Sequence, residues 1–419
     1  MSSLAYAALW AFVFAVPWER VIVLPGISIM TRVTGVLAMG LTLLTILVSG
    51  RFRRWRGFQV WAVLFVIWAG IVVWMLGMQT IPKKFYTFIQ LFLVLWMIWE
   101  LASTTKRQVG LLAAYVLGAY VGALGTLLLY HSKAGAMQRF AAGGGDPNSL
   151  AMTLSLGVPM AWYLSMTYQR PLMRWVCRAY LPLALVAIGL TGSRGGMLDC
   201  MVALLIIPMT VSLSPKRLAM SVVMVGLSAG LAIAYVPEQL VQRFASTGTE
   251  VEDARFGGRF KLWVAGVNAF AQRPLMGYGV STYKLAITPQ LGSAAQVAHD
   301  SFLSVLVEEG LVGLLFYLLM FLSVYLAILR LPRFPRRFAL VLFATLITAM
   351  LPLTWEDEKE VWVVSAMLFG MSSVVGAGLS GAGSPGVSRA ASIGRPPPAA
   401  LSTERLGTYG RIRNRGGTA

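Results

Sequence analysis

The sequence is short of charge. Only 12% of its 419 residues are Asp, Glu, Lys or Arg, against roughly 25% in soluble globular chains. Acidic residues are the scarcer sign, 16 against 35 basic, which leaves a formal net charge of +19. With 57% hydrophobic residues there is too little polar surface to cover a water-soluble particle of this size, and far too much apolar surface for a disordered chain. The basic residues stand in short bursts between apolar runs, not on one soluble face, so nucleic-acid binding is excluded. Cysteine and histidine are scarcer still. Cys177, Cys200, His131 and His299 can build neither a disulfide framework nor a Cys/His zinc site. Both cysteines fall in or beside apolar segments, where a thiol packs as a small inert hydrophobe.

What the sequence does have is apolar runs of membrane length, which makes it an all-α polytopic membrane protein. About 20 apolar residues cross the roughly 30 Å of hydrocarbon as a helix. Roughly twelve such segments can be placed, at 3–18, 27–49, 58–77, 85–103, 108–130, 147–167, 177–192, 196–213, 218–236, 300–329, 337–354 and 361–379. The organisation expected is therefore nine transmembrane helices in 1–236, one large external loop with short helices in 237–298, three more helices in 299–379, and a disordered basic tail in 380–419. The first segment lacks a basic n-region and a clear cleavage site, so it reads as a retained span. The tail is rich in Gly, Ser, Ala and Pro from about Gly376 and ends in scattered arginines, a composition that cannot bury a core. Arg51, Arg53, Arg54, Arg56, Lys106, Arg107, Arg170, Arg174, Arg178, Lys216, Arg217, Arg330, Arg333, Arg336, Arg337 and the tail arginines then share one side. By the positive-inside rule that side is cytoplasmic, with both termini on it.

The external loop is the exception. It carries Arg243, Arg255, Arg259, Lys261, Arg273 and Lys284 on the face where topology does not call for cations. Within it, 256–270 reads as a short amphipathic helix on which Arg259, Trp263, Gly266 and Phe270 share a face. Gly257 and Gly258 place Arg259 in a first turn whose N–H groups favour anions; the same stretch also suits an interfacial helix with Trp263 anchoring and Arg259 snorkelling. Thr191-Gly-Ser-Arg-Gly-Gly196 is a second external cationic element, in which three glycines could form an anion nest beside Arg194. His299 precedes Asp300 and Ser301, which look like the N-cap of the tenth span. There the helix dipole favours a neutral imidazole, which Asp300 opposes.

Weaker candidates surround these. Lys83 and Lys84 open the fourth span from outside, followed by Tyr86 and Gln90; they either line a cavity for an acidic lipid or snorkel. Asp146 or Asn148 caps the sixth span. At least one of Glu308 and Glu309 must face protein or water. Glu356, Asp357, Glu358 and Glu360 form an acidic external loop, either metal-binding or simply solvated. His131 sits in a small polar loop.

Taken in order, Arg259 with Trp263, Gly277-Tyr-Gly279, His299-Asp-Ser-Phe-Leu303, Glu309-Gly-Leu-Val-Gly313, Thr191-Gly-Ser-Arg-Gly-Gly196 and Asp146-Pro-Asn148 resemble the O-antigen ligase and O-antigen polymerase superfamily of polytopic membrane glycosyltransferases, over roughly residues 80–375. The resemblance implies a GT-C-like fold in the bacterial inner membrane with its active site facing the periplasm. It also implies that Arg194 and Arg259 hold the diphosphate of an undecaprenyl-linked O-antigen, and that His299 positions or deprotonates an acceptor hydroxyl on lipid A–core oligosaccharide. Arg255, Lys261, Trp263, Lys83, Lys84, Tyr86, Gln90 and Asp300 are the further substrate-binding candidates. Since arginines supply the cation, no metal or other cofactor is expected. Asp300 stands where the family often has Asn, and a carboxylate there would raise the pKa of His299. The membrane polymerase and a protein O-oligosaccharyltransferase share the motifs. A transporter of anionic amphiphiles is the alternative of another class, against which stand the absence of a visible internal repeat and the gathering of cations at the external surface, away from the midplane.

Overall fold

Inside a bilayer a backbone must satisfy its own polar groups, and this chain does so with helices alone; no strand occurs among the described residues. The structure, a computed structural model, describes residues 1–19, 30–78, 80–133, 139–210, 234–245 and 258–382, with isolated positions between 219 and 230. The helices are α1 Ser2–Ala15, α2 Met30–Ser49, α3 Gly57–Met75, α4 Lys83–Leu101, α5 Thr105–Lys133, α6 Pro147–Thr167, α7 Pro171–Thr191, α8 Arg194–Leu204, α9 Ile206–Thr210, α10 Glu238–Ala245, α11 Arg259–Gln272, α12 Tyr283–Leu291, α13 Ser301–Leu329, α14 Arg333–Met350 and α15 Lys359–Ala382. Six of them, α2, α3, α4, α5, α7 and α13, are long and apolar enough to cross a membrane, and the chain is a multi-pass membrane protein. Helices α6, α14 and α15 stand where further spans were expected. The expected ninth span lies largely outside the described residues, as does the tail from 383. The chain is still helical at Ala382, so the boundary read at about Gly376 falls inside α15.

The centre of the bundle is α6, in which every residue from Leu150 to Ser165 is buried. It packs against α5, α7, α8 and α14. Small residues let α8 approach closely, since a Cβ on Gly196 would collide with Ala151 of α6. The expected eighth span, 196–213, is not one helix: α8 ends at Leu204 and α9 follows. Pro208 accounts for the break, because it lacks an N–H and its ring meets the carbonyl four residues back, that of Leu204.

Helix α13 is also broken, at Gly310 (φ 69°, ψ −169°). There the 274–281 segment replaces the helical hydrogen bonds. Val307 C=O accepts from the Tyr278 N–H at 3.0 Å, Glu308 C=O from Gly279 N–H at 2.7 Å, and Leu311 N–H donates to Pro274 C=O at 2.8 Å. A Cβ at Gly310 would collide with Leu275, so the left-handed conformation and the close approach both require glycine. Two motifs far apart in sequence, Gly277-Tyr-Gly279 and Glu309-Gly-Leu-Val-Gly313, thus form one joint.

Beside this joint lies a buried charge cluster. Lys84 Nζ pairs with Glu308 Oε2 at 2.8 Å and with Glu356 Oε1. Glu308 also accepts the N–H groups of Ser281 at 2.9 Å and Tyr283 at 3.1 Å, so it caps α12 from a neighbouring helix. Ser304 Oγ donates to Glu356 at 2.6 Å. Glu308 and Glu309 both face protein and are buried. The solvated reading of the acidic loop is likewise overturned at Glu356, which is fully buried.

Candidate active site

Four pieces of chain converge next to that frame. Helix α11 begins at Arg259, with Gly258 as N-cap in the left-handed region (φ 81°). Its buried residues are Leu262, Ala265, Gly266 and Ala269, which rest on α12 and the first part of α13. The inward face is therefore rotated from the one expected. Arg259 and Trp263 flank it and line a cleft of about 200 Å³ with Gly195 and Leu198 of α8, Thr348 of α14, and Leu351 and Pro352. Trp263 Nε1 also donates to Ala298 C=O at 3.0 Å, which ties α11 to the residue before His299.

His299 stands in the left-handed region (φ 50°), a conformation that costs a residue other than glycine on the order of 1–3 kcal/mol and persists only where its surroundings impose it. Its N–H donates to Thr354 Oγ1 at 2.9 Å. The next residue, Asp300, is the N-cap of α13 and accepts from the Leu303 N–H at 2.8 Å.

The electrostatics follow from this placement. Burial, and then the Arg259 guanidinium, push the His299 imidazole below the ordinary histidine value, with Asp146 acting in the other direction. Burial also lowers the pKa of Arg259, against which Asp146 acts; a guanidinium remains charged all the same. The combination is a neutral imidazole beside a permanent cation, able to accept a proton near neutral pH. The expected raising of His299 by Asp300 does not occur: that carboxylate is committed to capping α13, and burial dominates.

Arg194 is the first residue of α8, next to Gly195 on the cleft wall. Ser193 caps this helix by accepting the Gly196 N–H at 3.1 Å, and the Ser193 N–H is held by Thr191 Oγ1 at 3.2 Å. The three-glycine nest is thus not what the glycines build. Gly192 (φ 60°) ends α7, while Gly195 and Gly196 bring α8 against Pro352, Met152 and Ala151.

Two residues were missed as site members. Arg139 Nε donates to Thr191 C=O at 2.8 Å and its Nη2 to Asn148 Oδ1 at 2.7 Å, joining the Arg194 turn to the start of α6. The available signal was an arginine in a connection that the expected topology puts on the side where positive charge is disfavoured. Asp146 caps α6 as expected and in addition is the carboxylate felt by both Arg259 and His299.

Other expectations are corrected. Lys84 is consumed by Glu308 and Glu356 and cannot serve as an open cation for a lipid phosphate. Lys83, Tyr86 and Gln90 lie exposed along α4 and do not line the cleft. Lys261, two residues past Arg259, is exposed on another face of α11, and Asp300 serves α13. Arg255 lies outside the described residues. His131 is exposed at the end of α5, and both cysteines are buried. Among the described residues no three His, Cys, Asp or Glu side chains converge to hold a metal. The acidic turn after α14 instead lines a second pocket, where Trp355 and Glu358 meet Asp146, Ser149, Thr153 and Glu360.

No curated protein sequence matches the chain. Residues 179–318, from the middle of α7 through the joint at Gly310 and including Arg194, Arg259 and His299, match the family model described as O-antigen ligase. Over those residues the chain carries a domain of the O-antigen ligase family.

Proposed function

We propose that the protein is the O-antigen ligase of a bacterial inner membrane, transferring O-antigen from undecaprenyl diphosphate to lipid A–core oligosaccharide at the periplasmic face, with about twelve spans and both termini cytoplasmic. The observation that carries this reading is the place of His299, directly after the Ala298 carbonyl held by Trp263 of the cleft wall, where burial and then Arg259 push its imidazole below the ordinary histidine value. The cleft suits a lipid diphosphate. Leu198, Leu351 and Trp263 are apolar enough for the lipid, while Arg259, and Arg194 at the N-terminus of α8, are cations for the phosphates. The second pocket suits a sugar, since its carboxylates and hydroxyls accept hydrogen bonds from sugar O–H groups and repel a diphosphate.

In this reading His299 takes the proton of the acceptor hydroxyl while its oxygen attacks the anomeric carbon. The anomeric C–O bond breaks on the opposite side and its electron pair leaves on the diphosphate, so configuration inverts. Arginines placed before the reaction stabilise the growing negative charge without reorganisation. Purified protein reconstituted with polyprenyl-diphosphate-linked glycan and lipid A–core is expected to yield lipid A–core carrying the glycan. Absence of any transfer would remove the enzymatic reading, and lengthening of the lipid-linked glycan in its place would assign the polymerase activity.

A further inference from the structure

The strained backbone of His299 has an identifiable cause. On its N-terminal side, Ala298 C=O is held by Trp263. On its C-terminal side, Ser301 Oγ donates to Leu353 C=O at 2.8 Å and accepts the Trp355 N–H at 2.9 Å. Between them, the His299 N–H reaches Thr354 Oγ1. The 353–355 turn therefore grips the chain at residues 299 and 301, the first of which has the left-handed backbone.

That turn is itself immobilised. Trp355 is buried and its Nε1 donates to Ser149 Oγ at 3.2 Å. The next residue, Glu356, is held through its side chain by Lys84 and Ser304 and through its carbonyl by Trp362 Nε1 at 2.9 Å. Leu351 and Pro352, two residues before the grip, are part of the cleft wall. A single anchored turn thus sets both the wall and the histidine. Of its contacts to His299, the Thr354 hydroxyl is the one made by a side chain outside the cleft lining.

We infer that Thr354 is a positioning residue for His299, its hydroxyl oxygen fixing the left-handed backbone that sets where the imidazole stands. Without that acceptor the His299 N–H has no partner in the turn, and the backbone relaxes to the ordinary negative φ with the imidazole displaced. Misplacing a reacting group by about 1 Å costs on the order of 100-fold. The inference rests on the transferase reading above for its catalytic consequence, but the contact has its own readout.

Thr354→Val removes the acceptor at nearly constant volume, and Thr354→Ser keeps it. In the reconstituted transfer assay T354V is expected to lower kcat by roughly 10- to 100-fold with KM for the lipid-linked donor unchanged, while T354S stays close to wild type. Carbethoxylation of His299 by diethyl pyrocarbonate, followed by mass spectrometry with His131 as internal reference, is expected to change in T354V and not in T354S. Wild-type kcat and wild-type His299 reactivity in T354V would overturn the inference, as would equal impairment in T354S. Thermal unfolding identifies a T354V that fails to fold, and Thr354→Ala, which also lacks the acceptor, then takes its place in both measurements. If wild-type protein transfers nothing, the transferase reading falls while the His299 reactivity still decides the contact.

Discussion

Two cationic regions at the same side of the molecule have opposite fates. Lys84 is buried between Glu308 and Glu356 with short contacts to both, and the cluster fastens α4, α12, α13 and the 351–358 turn together. Arg259 stands on the wall of a cleft, neighbours a histidine that it helps keep neutral, and feels one more distant carboxylate, Asp146. A cation matched by carboxylates within the fold is structural, because its charge is already answered. A cation placed next to another group that it holds neutral has its charge left for something that arrives from outside. In the linear sequence Lys83-Lys84 was a weaker candidate than Arg259 for holding an acidic lipid, and the partners of Lys84 now set the two apart.

The contrast can be broken most forcefully at Lys84. Lys84→Met leaves Glu308 and Glu356 buried without their cation, and removing one partner of a buried ion pair costs about 3–5 kcal/mol. A large fall in the thermal unfolding temperature in detergent is expected. A K84M protein as stable as wild type but unable to transfer glycan would move Lys84 from the frame into the site.

Arg259 is expected to behave in the reverse manner. Arg259→Ala and His299→Ala should each lower the transfer rate by about 10²- to 10³-fold with the unfolding temperature unchanged. Lys261→Ala, exposed two residues further along α11, should leave the rate as it is. Equal losses in R259A and K261A would mean that general positive charge, not a placed guanidinium, is what the start of α11 supplies.

How much of this was legible follows from range. Helix content, the membrane class and the caps at Asp146 and Asp300 are local properties, set by hydropathy runs and by side chains that bond a few residues away, and these were readable. The grouping of Arg194, Arg259 and His299 came from the resemblance and not from spacing; of it the structure has Arg259 on the cleft wall and acting on His299. The break in α8 was readable too, from Pro208, but was passed over within an apolar run. What could not be read depends on contacts across long stretches of chain. Nothing near Lys84 announces Glu308 and Glu356 as its partners, and Gly310 inside an apolar segment gives no sign that the 274–281 segment completes its hydrogen bonds. Thr354 belongs to the same group, since its partner is 55 positions away. The inward face of α11 was misjudged because helical periodicity defines stripes but not which stripe meets a neighbour.

The finest test of the contrast concerns Asp146, which connects the site to the bundle. Its side chain caps α6 by accepting the N–H groups of Asn148 and Ser149, and its charge raises the pKa of His299 against the lowering by burial and by Arg259. Asp146→Asn keeps an oxygen for the cap and deletes the charge. A general base works in its unprotonated form, so kcat/KM rises with pH through the pKa of His299, and this acid limb should lie below the ordinary histidine value of about 6.5. Losing Asp146 removes a neighbour that stabilises the imidazolium, so the pKa drops further and the limb moves to lower pH. The plateau rate should stay the same, because neither Arg259 nor the cleft wall changes. A shift to higher pH would overturn this account, since a direct pull of Asp146 on the imidazolium and an offsetting of Arg259 by Asp146 can each only raise the pKa of His299.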